Sequence, residues 1–212
     1  MKTRAVVSIM RTALVVLVLC VPPALAVGES ESQSSSGGAA MGADTLRMFP
    51  EVEGRNLEDR EFRLPQDFEG AANLVLLAFR REHQELVDTW MPAAGALADT
   101  LAGFRYYELP VLASGYTLFR SFIDGGMRSG IPDLAARERT ITLYINKRPL
   151  REALGFTSED TIYALVLSSD GRVVHMDEGA YTTAKGAAVE AAVRSLLEMG
   201  GGPGASAERG SE

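Results

Sequence analysis

The run Asn73–Phe79 (NLVLLAF) constrains this chain more than any other stretch. A strand with one wet face alternates apolar and polar residues. A nearly unbroken apolar run reads instead as a strand buried on both faces, the mark of a parallel sheet covered by helices on each side. Helical spacing follows it: Leu86, Val87, Trp90, Leu97 and Leu101 recur across Glu85–Leu101. Pro92 lies inside that span and is expected to kink it, because proline removes a backbone donor and crowds the preceding turn. Phe104–Leu112 (FRYYELPVL) then reads as a second strand, which closes a β-α-β unit.

The rest of the pattern extends that unit. Phe49–Gly70 is turn-rich, with Phe62 and Leu64 alternating with charge, and predicts a small β-hairpin. Ser114–Asp124 predicts an amphipathic helix with Tyr116, Phe119 and Ile123 on one face, and Gly125–Arg137 a loop. Thr140–Ile145 predicts a strand and Pro149–Leu154 a short helix. Thr161–Leu167 and Val173–Met176 flank Ser169-Asp170-Gly171, which has hairpin-turn chemistry. Thr182 can cap a last helix reaching about Met199. The fold class is therefore α/β, a mixed β-sheet sandwiched by helices, with an inserted helix and loop.

The two ends of the sequence lack this patterning. Lys2, Arg4 and Arg11 precede an apolar run from Thr12 to Cys20, then Pro22, Pro23 and Ala24-Leu25-Ala26. That order predicts a signal peptide over 1–26, too short to span a bilayer, which takes about 20 apolar residues. The alternative is a lipoprotein anchored through Cys20, although Leu19 is larger than the residue usual before a lipidated cysteine. Residues 27–44 read as a flexible linker, 45–199 as the folded domain and 200–212 as a disordered tail. The expected location is exported, periplasmic or secreted, with membrane contact only through an uncleaved or lipidated N-terminus. Cleavage after Ala26 lowers the basic residues from 21 to 18 against 28 acidic ones, so the net charge moves from -7 to -10. Such a balance argues against nucleic acid as a partner. Cleavage also removes the sequence's one cysteine.

The order of elements resembles the thioredoxin superfamily, especially its exported redoxins and peroxiredoxins. Gly54-Arg55-Asn56-Leu57-Glu58-Asp59 and Leu64-Pro65-Gln66-Asp67-Phe68-Glu69-Gly70 look like their opening hairpin. Phe79, Met91 and Pro92 sit where those proteins place a strand-end Phe and a Met-Pro pair around a CxxC motif. Counting from these landmarks puts the two cysteines at Gln84 and Val87, and a customary cis-proline at Asp160, just before Thr161. Neither Gln84 nor Val87 can act as a sulfur nucleophile. A closer resemblance is to the cysteine-poor redoxin-like family that includes the assembly factor for the membrane sector of mitochondrial ATP synthase. It rests on Tyr107-Glu108-Leu109-Pro110-Val111, Phe122-Ile123-Asp124-Gly125-Gly126-Met127-Arg128, Arg137-Glu138-Arg139-Thr140 with Tyr144, and Glu159-Asp160-Thr161-Ile162-Tyr163. It implies a non-redox, chaperone-like role.

Two groups of residues are candidates for binding. Arg80, Arg81, His83, Gln84 and Val87, with Asp160 and Thr161 across from them, occupy the former active-site region; they either line a surviving groove or form a solvated turn whose acids complement the helix dipole. Arg128, Arg137 and Arg139, with Arg120, surround the insert. They either converge on an anion or acidic partner, or pair with Asp124, Asp133 and Glu138. No Gly-x-Ser-x-Gly elbow or phosphate-loop spacing occurs, and the two histidines, His83 and His175, lie far apart in sequence. The expectation is no catalytic residue, no metal, no cofactor, and neither thiol–disulfide nor peroxidase activity. The favoured function is a protein-binding, chaperone or assembly module whose partner is another envelope protein or peptide. The alternatives are an enzyme of another class, a structural adaptor, or a redoxin-like protein of vestigial function.

Overall fold

The computed structural model describes residues 47–200. The leader, Cys20, the linker and all but the first residue of the tail lie outside the described residues. The chain runs β1 (Arg47–Met48), β2 (Val52–Asn56), β3 (Glu61–Leu64), β4 (Ala72–Ala78), α1 (Gln84–Thr100), β5 (Phe104–Ala113), α2 (Arg120–Gly130) and α3 (Leu134–Arg139). It continues through β6 (Ile141–Ile145), α4 (Lys147–Leu154), β7 (Tyr163–Ser168), β8 (Arg172–Glu178) and α5 (Thr183–Gly200).

The strands form one sheet in the order β1-β8-β7-β4-β5-β6-β2-β3. At its centre β4 runs parallel to β5, from Ala72↔Phe104 to Ala78↔Pro110, and antiparallel to β7, from Ala72↔Ser168 to Leu77↔Tyr163. The β7–β8 hairpin continues the sheet on that side. On the other side β6 is parallel to β5, and the β2–β3 hairpin is antiparallel to β6.

The double burial expected of NLVLLAF is observed, and it builds two cores. Val75 and Leu77 point to one face, with Phe62, Leu109, Leu143 and Leu165. Leu74 and Leu76 point to the other, against Val87 and Trp90 of α1 and Val189 and Val193 of α5. Burying one such side chain contributes about 1.5–3 kcal/mol, so the two faces together supply the main driving force for the fold. The polar start of the run is satisfied locally. Buried Asn73 accepts from the Gly70 N–H at 2.9 Å and donates to the Gly70 carbonyl at 2.8 Å. A Cβ on Gly70 would stand 2.6 Å from Asn73 Oδ1, so this clasp needs glycine.

Helix ends follow their caps. Asn146 accepts from the Arg148 N–H at the start of α4, and Gly155 closes that helix at φ 68°. Thr182 Oγ1 accepts from the Lys185 N–H at 3.3 Å, as its predicted capping role requires. Helix α1 runs from Gln84 to Thr100 with Pro92 inside it.

The insert differs from the sequence expectation. Ser114–Phe119 is a 3-10 turn, α2 begins only at Arg120, and it runs through Gly125 and Gly126 to Gly130. A second helix, α3, occupies the end of the expected loop. Tertiary bonds override the two glycines: Asp124 of α2 accepts from the Tyr144 hydroxyl of β6 at 2.7 Å, and Arg128 reaches the β2–β3 hairpin. The expected apolar face is not buried either, since Tyr116 and Phe119 are exposed.

Candidate functional site

Strand β4 ends in the core, and Phe79 packs edge-on against Phe156 and Tyr163, 6.1 Å away in each case. The chain then turns through Arg80 and a 3-10 turn, Arg81–His83, before α1 starts at Gln84. Four of the predicted site residues meet here. His83 is 4% exposed. Its Nδ1 accepts from the Phe79 N–H at 3.3 Å, which assigns the proton of the neutral ring to Nε2. The ring also lies near the Asp160 backbone, which brings the start of α1 beside the turn before β7. Burial lowers the His83 pKa, and the neighbouring Arg80 guanidinium lowers it further.

Arg80 forms an ion pair with Asp160 on the surface above this histidine. Asp160 also accepts from Ser158 Oγ at 2.8 Å, and its own N–H donates to the same oxygen at 2.9 Å. The Asp160 backbone donor is therefore satisfied. The Ser158 hydrogen bond first, and then Arg80, hold the Asp160 carboxyl below its ordinary pKa.

Gln84 is exposed at the first position of α1; its side-chain amide donates to Asp88 at 2.8 Å and lies 3.4 Å from Glu108 Oε2. Arg81 is exposed beside it, and Thr161 is half-buried next to Asp160. Val87 is 2% exposed and packs with Trp90 in the second core, which corrects its assignment as a binding residue. Helical periodicity already pointed it inward. Beneath the turn, Glu159 accepts from Lys147 and Arg151, each at 3.1 Å, and Lys147 Nζ stands 5.6 Å from the Phe79 ring centroid. Nothing in the spacing of Lys147 flagged this support, because it depends on where α4 docks.

The insert's arginines do not converge on one point. Arg128 binds the Leu57 carbonyl and Asp59; Arg137 binds Glu58 and the carbonyls of Ile131 and Pro132. Arg139 lies over the Tyr106 ring at 4.7 Å and Arg120 over Tyr144 at 4.8 Å. Pairing wins over anion convergence, but with different partners from those expected. Glu58 and Asp59 of the opening hairpin supply the carboxylates, while Asp124 takes the tyrosine and Asp133 caps α3. Arg139 also borders a cleft of about 490 Å³ with Arg60, Arg105, Tyr106 and Glu138. Arg60 in that cleft is paired with Glu69 at 2.6 Å. Among the described residues, no three His, Cys, Asp or Glu side chains gather as a metal would need. No described helix is long and apolar enough to cross a membrane.

No family model matches the chain, and no curated protein matches it. Solved structures do. One is a proposed electron transport protein from Aquifex aeolicus VF5, 12% identical, covering 73% of this chain and 99% of its own, with a TM-score of 0.54. A proposed electron transfer protein from the same organism is 11% identical, covers 72% and 95%, and has a TM-score of 0.52. The thioredoxin domain of a thiol-disulfide oxidoreductase from Bacteroides vulgatus is 19% identical over 72% and 99%, with a TM-score of 0.47. At such identities the likeness speaks for the fold alone. The central order β5-β4-β7-β8, one parallel pair followed by an antiparallel hairpin, is that of the thioredoxin core. This chain has a thioredoxin-like α/β fold, a mixed sheet flanked by helices.

Proposed function

We propose that this is an exported thioredoxin-fold protein that has left thiol chemistry and works as a protein- or peptide-binding module of chaperone or assembly type. One observation carries the reading. At the start of α1, where a redox member of this fold places its two sulfurs, the chain has exposed Gln84 and buried Val87, and its one cysteine is Cys20. Without a thiolate at that position there is no attack on a disulfide there and no mixed-disulfide intermediate. What remains is a surface at the strand ends, where open α/β sheets bind their ligands. Arg80, Arg81, Gln84, Asp160 and Thr161 are its contact residues, and His83 positions them from below. Arg128 and Arg137 hold the insert to the hairpin. The resemblance to the cysteine-poor assembly-factor branch supports the same reading, and the leader supports an envelope location.

Two assays test it. The purified protein should reduce insulin no faster than the no-protein control, with metals chelated. A photo-crosslinking residue in place of Gln84, expressed in the producing cell, should trap a defined envelope protein that the same residue at Glu190 on α5 does not. Measurable insulin reduction, or equal capture from both positions, sinks the proposal.

A further inference from the structure

The insert presents an apolar ridge. Tyr116, Leu118, Phe119 and Phe122 are 54%, 92%, 61% and 81% exposed, which accounts for half of the large, well-exposed apolar residues among those described. In the 3-10 turn and the first turn of α2, Tyr116, Phe119 and Phe122 recur every three residues, so they share one side. The ridge is held firmly. Behind it Asp124 is bonded to Tyr144, and Arg128 to the Leu57 carbonyl and Asp59. A 3-10 turn and helix that together bare three aromatic rings and a leucine mark an interaction surface.

We propose that a second copy of this chain covers it, ridge against ridge about a two-fold axis. Two observations favour that occupant. The first is charge. The chain carries a net charge of -7, so two copies repel wherever carboxylates meet. Residues 114–123 contain no carboxylate. Their one charge, Arg120, is half-buried over its own Tyr144 ring. What is left is Ser, Gly, Thr, the half-buried Ile123 and the four exposed apolar side chains, a neutral surface that is complementary to itself, as a two-fold contact demands. The second is area. With about 200 Å² for each fully exposed side chain, the four present roughly 600 Å². Two copies then bury about 1,200 Å², the lower bound for a specific interface. The contact is therefore reversible and concentration-dependent. It does not rest on the binding role of the Arg80–Asp160 face.

The test is sedimentation equilibrium of the full chain, with the N-terminus that its cell leaves, from about 1 to 200 µM, a span suited to a small interface. Wild type should shift from monomer towards dimer mass, and L118E/F122E should stay monomeric with an unchanged circular dichroism spectrum. A second readout serves if that variant misfolds. Leu118→Cys in a Cys20→Ser background should form an intermolecular disulfide under mild oxidation, and Val174→Cys, at an exposed position of β8, should not. A wild type that remains monomeric, or association that persists in L118E/F122E, overturns the proposal. So does a monomer that floats with phosphatidylcholine–phosphatidylglycerol vesicles through the ridge, because the occupant is then a lipid surface.

Discussion

Tyr144→Phe tests how the insert is fixed. Tyr144 is 8% exposed on β6, and its hydroxyl donates to Asp124 Oδ1 at 2.7 Å; Asp124 is also 8% exposed. Burial, and then the Asp124 bond, push the phenol pKa far above its ordinary value, so the hydroxyl keeps its proton throughout the working range. Phenylalanine preserves the ring and the Arg120 contact over it. It removes the donor and leaves a buried carboxylate with one partner fewer. Losing a buried hydrogen bond to a charged group costs about 1.5–3 kcal/mol. For a domain of about 150 residues that lowers Tm by roughly 3–12 °C. Urea unfolding followed by the fluorescence of Trp90, the one tryptophan, gives the free energy. A cycle with Asp124→Leu should return a coupling of about 1–2 kcal/mol, since the two groups touch. Hydrogen exchange should rise in residues 120–130 before it rises in 72–78. A Tm within 1 °C of wild type, with unchanged exchange in α2, refutes the anchoring role.

Trp90→Ala should cost about 3–5 kcal/mol by urea unfolding. The indole is 1% exposed, its N–H donates to the Gly179 carbonyl at 3.0 Å, and its ring meets Tyr181 edge-on at 5.3 Å. Gly171→Ala should cost at least about 1 kcal/mol. Gly171 has φ 83°, and a Cβ there would stand 2.4 Å from Pro65 Cγ; no change in unfolding midpoint would contradict this. His83 gives a pH dependence. Its folded pKa is lowered from 6.5, so below that value the unfolded chain binds the extra proton first. Its contribution is complete above about pH 6.5 and is lost as pH falls towards the folded pKa. His83→Gln should flatten that limb of the stability profile, and an unchanged slope would assign the effect elsewhere.

The sheet was legible because its central strands are near-continuous apolar runs, and such runs have few other homes. The start of α1 was legible from the apolar residues at helical spacing, Leu86, Val87 and Trp90, that follow the strand-end Phe79. The insert was misread for a physical reason. Gly125 and Gly126 weaken a helix locally, and only contacts distant in sequence, Asp124 with Tyr144 and Arg128 with Asp59, make it hold. The same distance hid the arginine partners. Charge counting favoured acids within the insert, whereas the hairpin at Glu58 and Asp59 folds against it. Buried Asn56 strengthens that contact, donating to the Glu138 carbonyl at 3.0 Å. Ridge exposure was equally invisible, because aromatic spacing alone does not tell a core face from a bare one.

The turn before β7 and the start of α1 are held together in two layers. Asp160 brings a backbone N–H and a charge to the surface, and Ser158 and Arg80 meet both. His83 accepts from the Phe79 N–H and lies near the Asp160 backbone on the buried side. These two layers differ in what a partner can displace. The ion pair is 54% and 72% exposed, and exposed pairs hold weakly, so a partner's own carboxylate or ammonium can compete for either member. The histidine is buried and stays. A charge swap separates the roles: Arg80→Asp with Asp160→Arg restores an internal pair but reverses the sign of each contact group. Chemical unfolding should remain close to wild type, and capture of the partner through a crosslinker at Gln84 should fall at least tenfold. If capture survives the swap, the two charges take no part in recognition, and binding there rests on the neighbouring Arg81, Gln84 and Thr161 surface instead.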